Sequence, residues 1–142
     1  MKFLSLAVLA LPSVFAAALP NTVSGDNLAK RSGGGALRTC TNAGAVLKGK
    51  DIYVEAFCSD GHGGSPLASV DVNTCIANDN GNLHWRKNGG FSGSCTIDLA
   101  TGVQSNGYLI ARCRKDNGST VITGIYLNDH LVNRNGKLAC EV

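Results

Sequence analysis

Displacing the chain by 55 residues lays it on itself, and this constrains the fold more than any local pattern. Residues 58–85, "CSDGHGGSPLASVDVNTCIANDNGNLHW", align without a gap on 113–140, "CRKDNGSTVITGIYLNDHLVNRNGKLAC". Cys58/Cys113, Gly63/Gly118, Asn73/Asn128, Asn78/Asn133, Asn80/Asn135, Gly81/Gly136 and Leu83/Leu138 are identical, and aliphatics exchange at Val70/Ile125, Val72/Leu127 and Ile76/Leu131. Upstream, Cys40 falls on Cys95, Thr41 on Thr96, Tyr53 on Tyr108 and Ala56 on Ala111. Self-similarity at a fixed period means one supersecondary unit used twice.

The unit is a β unit. In "DIYVEAFC" the period of two puts Ile52, Val54, Ala56 and Cys58 on one face, and "GYLIARC" does the same for Leu109, Ala111 and Cys113. Each strand runs into a polar loop, "SDGHGGS" or "RKDNGST", followed by a short apolar segment, "LASVDV" or "VITGIYL". A brief turn or helical turn is expected at "NTCIAN" and "NDHLVN". Asn80-Gly81 and Asn135-Gly136 then signal tight type I′ hairpins, since both central residues need positive φ and Asn-Gly tolerates it best.

A unit of this size with few aromatics buries little surface alone. All six cysteines (Cys40, Cys58, Cys75, Cys95, Cys113, Cys140) lie beyond residue 32, an even number that reads as a disulfide framework. Zinc is the weaker reading, because no Cys-x-x-Cys pair occurs and the three histidines are scattered. Cys40–Cys58 and Cys95–Cys113 are the natural bridges, one per unit. Each closes a loop worth about 3 kcal/mol in the chain-entropy model. Cys75 and Cys140 break the repeat, standing opposite His130 and Trp85. Their pairing is expected, and it ties mid-chain to the C-terminus only if the last strand packs back on the first half.

Residues 1–18 read as a secretory signal: Lys2, then the uncharged run "FLSLAVLALPSVFAAA", too short to span a bilayer, with cleavage after Ala16 or Ala18. Residues 19–31 read as a propeptide ending at Lys30-Arg31, and 32–142 as the mature domain, with repeats at about 37–91 and 92–142. From Ser32 onward ten basic side chains face nine acidic ones, a net of +1. That balance leaves no basic field for nucleic acid. No other segment is long and apolar enough for a membrane span, so a secreted, extracellular product is expected.

With the tandem Cys pairs, "SVDVNTCIANDNGNLHW" and "IYLNDHLVNRNGKLACEV" in hand, the chain resembles the cyanovirin-N homology family over roughly 37–142. The resemblance implies an all-β, pseudo-symmetric tandem repeat of triple-stranded sheets and β-hairpins with interleaved halves and short helical turns. It implies oligosaccharide binding of the mannose type, one site per half, with no catalysis, metal or cofactor. Site one would use Arg38, Thr39, Ser59, Asp60, Gly61, Asn133 and Asn135. Site two would use Asn78, Asn80, Gly93, Ser94, Arg114, Lys115, Asp116 and Gly118. Acidic sugar contacts of the family are replaced here by Ala77, Asn80, Gly93 and Ser59, so affinity or preference is expected to differ. The partners implied are oligosaccharides of glycoproteins or cell walls, and the expected state is a monomer or a domain-swapped dimer.

An enzyme is not expected. Asp129-His130 lacks a nucleophile paired by motif, Asp71 and Asp98 do not recur as a pair, and Glu55 faces away from the cysteine face. Trp85 reads as core packing rather than a platform for a sugar ring. Asn117-Gly118-Ser119 is a glycosylation sequon beside the second site; a glycan there blocks the site or occupies it in trans, or the sequon is unused. The alternative to a lectin is a secreted interaction or effector protein on the same scaffold, with a protein or cell-wall target.

Overall fold

The computed structural model describes residues 34–98 and 102–142. The expected signal segment 1–18 and propeptide 19–31 lie outside the described residues. Among these residues the chain forms ten strands and four single 3-10 turns, with no α-helix. The strands make two three-stranded antiparallel sheets and two hairpins. Strands β1 (Cys40–Lys48), β2 (Asp51–Cys58) and β3 (Leu67–Asp71) form the first sheet. Strands β4 (Ile76–Asp79) and β5 (Asn82–Trp85) form a hairpin. Strands β6 (Cys95–Thr96), β7 (Tyr108–Arg114) and β8 (Thr120–Tyr126) form the second sheet, and β9 (Leu131–Arg134) with β10 (Lys137–Cys140) the second hairpin.

The halves are interleaved, as the resemblance implied. Hairpin β9–β10 packs on β3 of the first sheet, and hairpin β4–β5 packs on β8 of the second. One apolar cluster therefore unites both repeats. It holds Ile52, Val54 and Cys58 from β2 together with Leu109 and Cys113 from β7, and also Val72, Ile76, Phe91, Leu127 and Leu131. The alternation predicted for β2 holds: Ile52, Val54, Ala56 and Cys58 are at most 1% exposed, while Phe57 on the other face is 44% exposed. On that outer face Lys48 donates to Glu55 at 2.8 Å. That hydrogen bond holds the Glu55 carboxyl below the usual carboxylate range.

The three bridges Cys40–Cys58, Cys95–Cys113 and Cys75–Cys140 are present, and no free cysteine remains among the described residues. Two of them join directly opposed residues of neighbouring strands, β1 to β2 and β6 to β7. The third does what interleaving requires, tying the residue before β4 to the end of β10. At the position related to it by the repeat, the Trp85 and His130 rings pack with centroids 5.0 Å apart, tilted by 46°. The backbone around the two pairs matches as well: Arg86 N donates to Cys75 O and Glu141 N to His130 O, both at 2.9 Å. Trp85 is half-buried against the core, which is packing and not an open platform.

The correspondence of the repeats begins upstream of the expected boundary. Gly35 N donates to Asn128 O and Gly90 N to Asn73 O, both at 2.8 Å. Leu37 N reaches Asn128 Oδ1 and Ser92 N reaches Asn73 Oδ1, both at 2.9 Å. These bonds dock the 3-10 turns Ala36–Arg38 and Phe91–Gly93, each onto an Asn of the opposite repeat. Asn73 and Asn128 were visible as an identical pair, but a polar residue repeated within a short turn does not reveal which segment it bonds.

Candidate functional site

Each candidate site is assembled where a hairpin turn from one repeat meets a loop from the other. Both turns have the geometry read from Asn-Gly: φ is +50° at Asn80 and +88° at Gly81, and +51° at Asn135 and +84° at Gly136. The glycines are needed twice over. A Cβ on Gly81 would lie 2.6 Å from Val121 Cγ1, and one on Gly136 would lie 2.9 Å from Pro66 Cγ, because each turn sits directly on the opposite repeat.

One asparagine clamps each assembly. At site one, Asn133 Nδ2 donates to Thr39 Oγ1 and to Ser59 O, both at 2.9 Å, while its Oδ1 accepts from Gly136 N at 2.9 Å. At site two, Asn78 Nδ2 donates to Ser94 Oγ at 2.8 Å and Arg114 O at 2.9 Å, and its Oδ1 accepts from Gly81 N at 2.8 Å. Every atom of one set has its counterpart in the other. The chain just before each first cysteine is held to the loop after the second by equivalent bonds, Ser59 N to Thr39 O at 2.9 Å and Arg114 N to Ser94 O at 2.8 Å.

This geometry divides the predicted residues by role. Asn78 and Asn133 spend both amide hydrogens on the protein, so they position the site. Asp60 likewise closes its own loop, its Oδ1 accepting from His62 N at 2.8 Å and Gly64 N at 3.0 Å. Asn80 Oδ1 accepts from Asp116 N at 3.0 Å, linking turn to loop across the repeats. Arg38 at site one and Arg114 at site two are exposed, with no side-chain bond among the described residues. Of the other predicted residues, Asn135, Gly61, Gly118 and Gly93 are exposed and Lys115 is half-buried. Ala77, one of the replaced acidic positions, is fully buried: the backbone of Gly89 passes directly over Ile76 and Ala77.

The sites differ in charge and in loop chemistry. Asp60 in the first loop corresponds to Lys115 in the second, and Ser59 to Arg114. The backbone closure survives the exchange, Asp60 N to Gly64 O at 3.0 Å and Lys115 N to Ser119 O at 2.7 Å. In the second loop the Asx turn moves to Asn117, whose Oδ1 accepts from Ser119 N. A separate groove of about 620 Å³ between Leu47, Lys50, Asn73, Ser92 and Ile97 touches this list only at Gly93. Among the described residues no three or more His, Cys, Asp or Glu gather into a metal-binding group.

Replacing Asn133 with Ala tests the clamp. It leaves the Gly136 N–H, in a buried residue, without its acceptor and frees two segments of chain. A loss of about 2 kcal/mol is expected in urea unfolding, the cost of unsatisfied buried polar groups. Asn78→Ala should cost the same within error, since the two clamps are alike; a near-neutral result for either would remove its positioning role.

Solved structures share this architecture. A MoCVNH3 variant, determined in complex with (N-GlcNAc)4, matches with TM-score 0.62 at 20% identity, covering 75% of this chain and 97% of that one. TbCVNH of T. borchii matches with TM-score 0.58 at 28% identity over 75% and 98%. Microvirin, determined with mannobiose, matches with TM-score 0.54 at 17% identity over 73% and 95%. The family model described as the CVNH domain matches residues 37–139. The chain therefore belongs to the CVNH domain family.

Proposed function

We propose that this protein is a secreted, non-catalytic lectin that binds mannose-type or related neutral oligosaccharides at two pseudo-symmetric sites. The observation that carries this reading is the duplicated clamp: two sets of Asn with Thr or Ser, joined to the loop backbone by the same hydrogen bonds, each with an exposed Arg beside it. A rigid scaffold presenting polar loops suits hydroxyl-rich ligands, because little ordering entropy is spent on binding. Structures of the same fold solved with (N-GlcNAc)4 and with mannobiose support the ligand class. A leader at 1–18 and a propeptide at 19–31 would deliver a disulfide-bonded product to an oxidising compartment, where such bridges persist.

A second reading draws on the outer face of the first sheet. Phe57 and Leu67 are opposed across β2 and β3 and are 44% and 57% exposed. An apolar pair of this kind suits a protein partner, as an effector on the same scaffold would require.

A glycan array of mannose- and N-acetylglucosamine-terminated oligosaccharides, probed with the disulfide-bonded protein, separates the two. Arg38→Ala and Arg114→Ala remove one guanidinium from each rim without touching either clamp. Each should weaken its own site at least about 10-fold, the value of a hydrogen bond to a charged group, and the double variant should abolish capture. Binding to no glycan on the array would transfer the case to the second reading.

A further inference from the structure

We propose that Asn117 is an N-glycosylation site, and that the oligosaccharide it carries covers the second sugar-binding site and leaves the first one open. The masking rests on the two-site reading above; the modification does not.

Asn117-Gly118-Ser119 is the single Asn-x-Ser/Thr in the chain. The structure presents it as an acceptor. It lies at the tip of the loop after Cys113, pinched by Lys115 N to Ser119 O at 2.7 Å and Gly118 N to Lys115 O at 3.0 Å. Residues 116–122 are all exposed, and a Cβ placed on Gly118 meets nothing within 4 Å, so the space around the tip is open. Asn117 Oδ1 accepts from Ser119 N at 3.0 Å and from Ser119 Oγ at 2.6 Å. Its Nδ2, the atom that bonds to sugar, makes no hydrogen bond among the described residues. Modification therefore breaks no contact of the fold. In the transfer, Nδ2 bonds to C1 of an oligosaccharide carried on a lipid pyrophosphate. The C1–O bond to the pyrophosphate breaks, the lipid pyrophosphate leaves, and the Nδ2 proton passes to a base of the transferring enzyme.

The position decides the consequence. The neighbouring Asp116 N is bonded to Asn80 Oδ1, the contact that joins this loop to the Asn80-Gly81 turn. A branched glycan rooted one residue away stands over that rim, beside Arg114 and Lys115. The counterpart of Asn117 in the first loop is His62, whose Nδ1 is paired with Asp60 O at 3.0 Å, and Gly61-His62-Gly63-Gly64 contains no sequon. The mask is thus one-sided. A protein with one open site captures a branched glycan but does not cross-link it, which gives up the avidity a second site would add.

The test uses the full chain secreted from a eukaryotic host. Intact mass should exceed that of the polypeptide, and the excess should vanish after peptide N-glycosidase and in both Asn117→Gln and Ser119→Ala. The second variant keeps the Asx turn, which guards against a loop effect in the first. Calorimetric titration with mannobiose and with (N-GlcNAc)4 should give one ligand per glycosylated chain and two per chain in the sequon variants. Arg38→Ala should abolish binding by the glycosylated protein yet leave one ligand per chain when combined with Ser119→Ala. Absence of the mass excess overturns the proposal entirely. A mass excess with the same stoichiometry before and after deglycosylation overturns the masking. A mass excess on a protein that binds neither probe, with or without its glycan, overturns the masking through failure of the lectin reading and upholds the modification.

Discussion

Gly89→Ala is expected to destabilise the protein by about 3–4 kcal/mol, the upper end of what overpacking costs. The added Cβ would lie 2.1 Å from Ile76 O, 2.2 Å from Ile76 C and 2.6 Å from Ala77 N. These are backbone atoms of a strand whose residues Ile76 and Ala77 are fully buried, so no side chain can swing aside to make room. Nor can the segment of Gly89 lift away cheaply. It is held on both sides, by Asn88 N to Thr74 O at 2.7 Å and Gly90 N to Asn73 O at 2.8 Å. Gly93→Ala is the matched control, four residues on in open space without a positive φ, and should change stability by less than about 0.5 kcal/mol. Urea unfolding of the two variants beside the parent measures the difference. Equal stabilities would mean that the close passage over β4 relaxes at little cost.

Removing the Cys75–Cys140 bridge by a double substitution to Ala should lower stability by about 4 kcal/mol, more than loss of either intra-sheet bridge. In the chain-entropy model the cost grows with the loop closed, and this bridge spans 65 residues against 18 for each of the others. The position adds to it: Cys75 is 1% exposed and in the core cluster, so its loss also leaves a void. Trp85 and His130 occupy the equivalent place in the other half without a covalent bond. His130→Ala should therefore cost only about 1 kcal/mol, the scale of an aromatic pair. Denaturant midpoints of the two variants at equal slope provide the comparison. A bridge variant no weaker than the His130 variant would show that interleaving is held by packing alone.

Much of this architecture was legible before any coordinates. The strand faces of β2 and β7 followed from alternation, the two hairpin turns from Asn-Gly, and two bridges from their repetition. Those signals are local, and local geometry is what residue order controls most directly. β1 was less legible: "CTNAGAVLK" is rich in small and polar residues, and its pairing with β2 slips between Thr41 and Gly44, with φ at Asn42 of +54°. β6, only Cys95–Thr96, is too short to carry a pattern. The glycines after Lys30-Arg31 carry no apolar pattern, yet Gly34 stands opposite Asn128 O, where a Cβ would come within 2.5 Å.

The candidate sites were legible as an inventory and less so as roles. The repeated asparagines at 78, 80, 133 and 135 do come together with the loops named beside them. Which of them face outward depends on partners 36 to 94 residues away, such as Arg114 O for Asn78 and Thr39 Oγ1 for Asn133. No periodicity encodes such a bond, because its two ends are joined only by the packing of one repeat on the other.

The order of residues by itself determined that one β unit occurs twice, which faces turn inward, where the chain reverses and which cysteines sit within a unit. Tertiary structure alone decided that each hairpin closes on the opposite repeat's sheet, that Asn78 and Asn133 are clamps, and that Gly89 must have no side chain. The physical reason is burial. Neither unit hides its apolar face alone, and only the exchange of hairpins brings the two faces together, with every long-range hydrogen bond of the sites following from that contact.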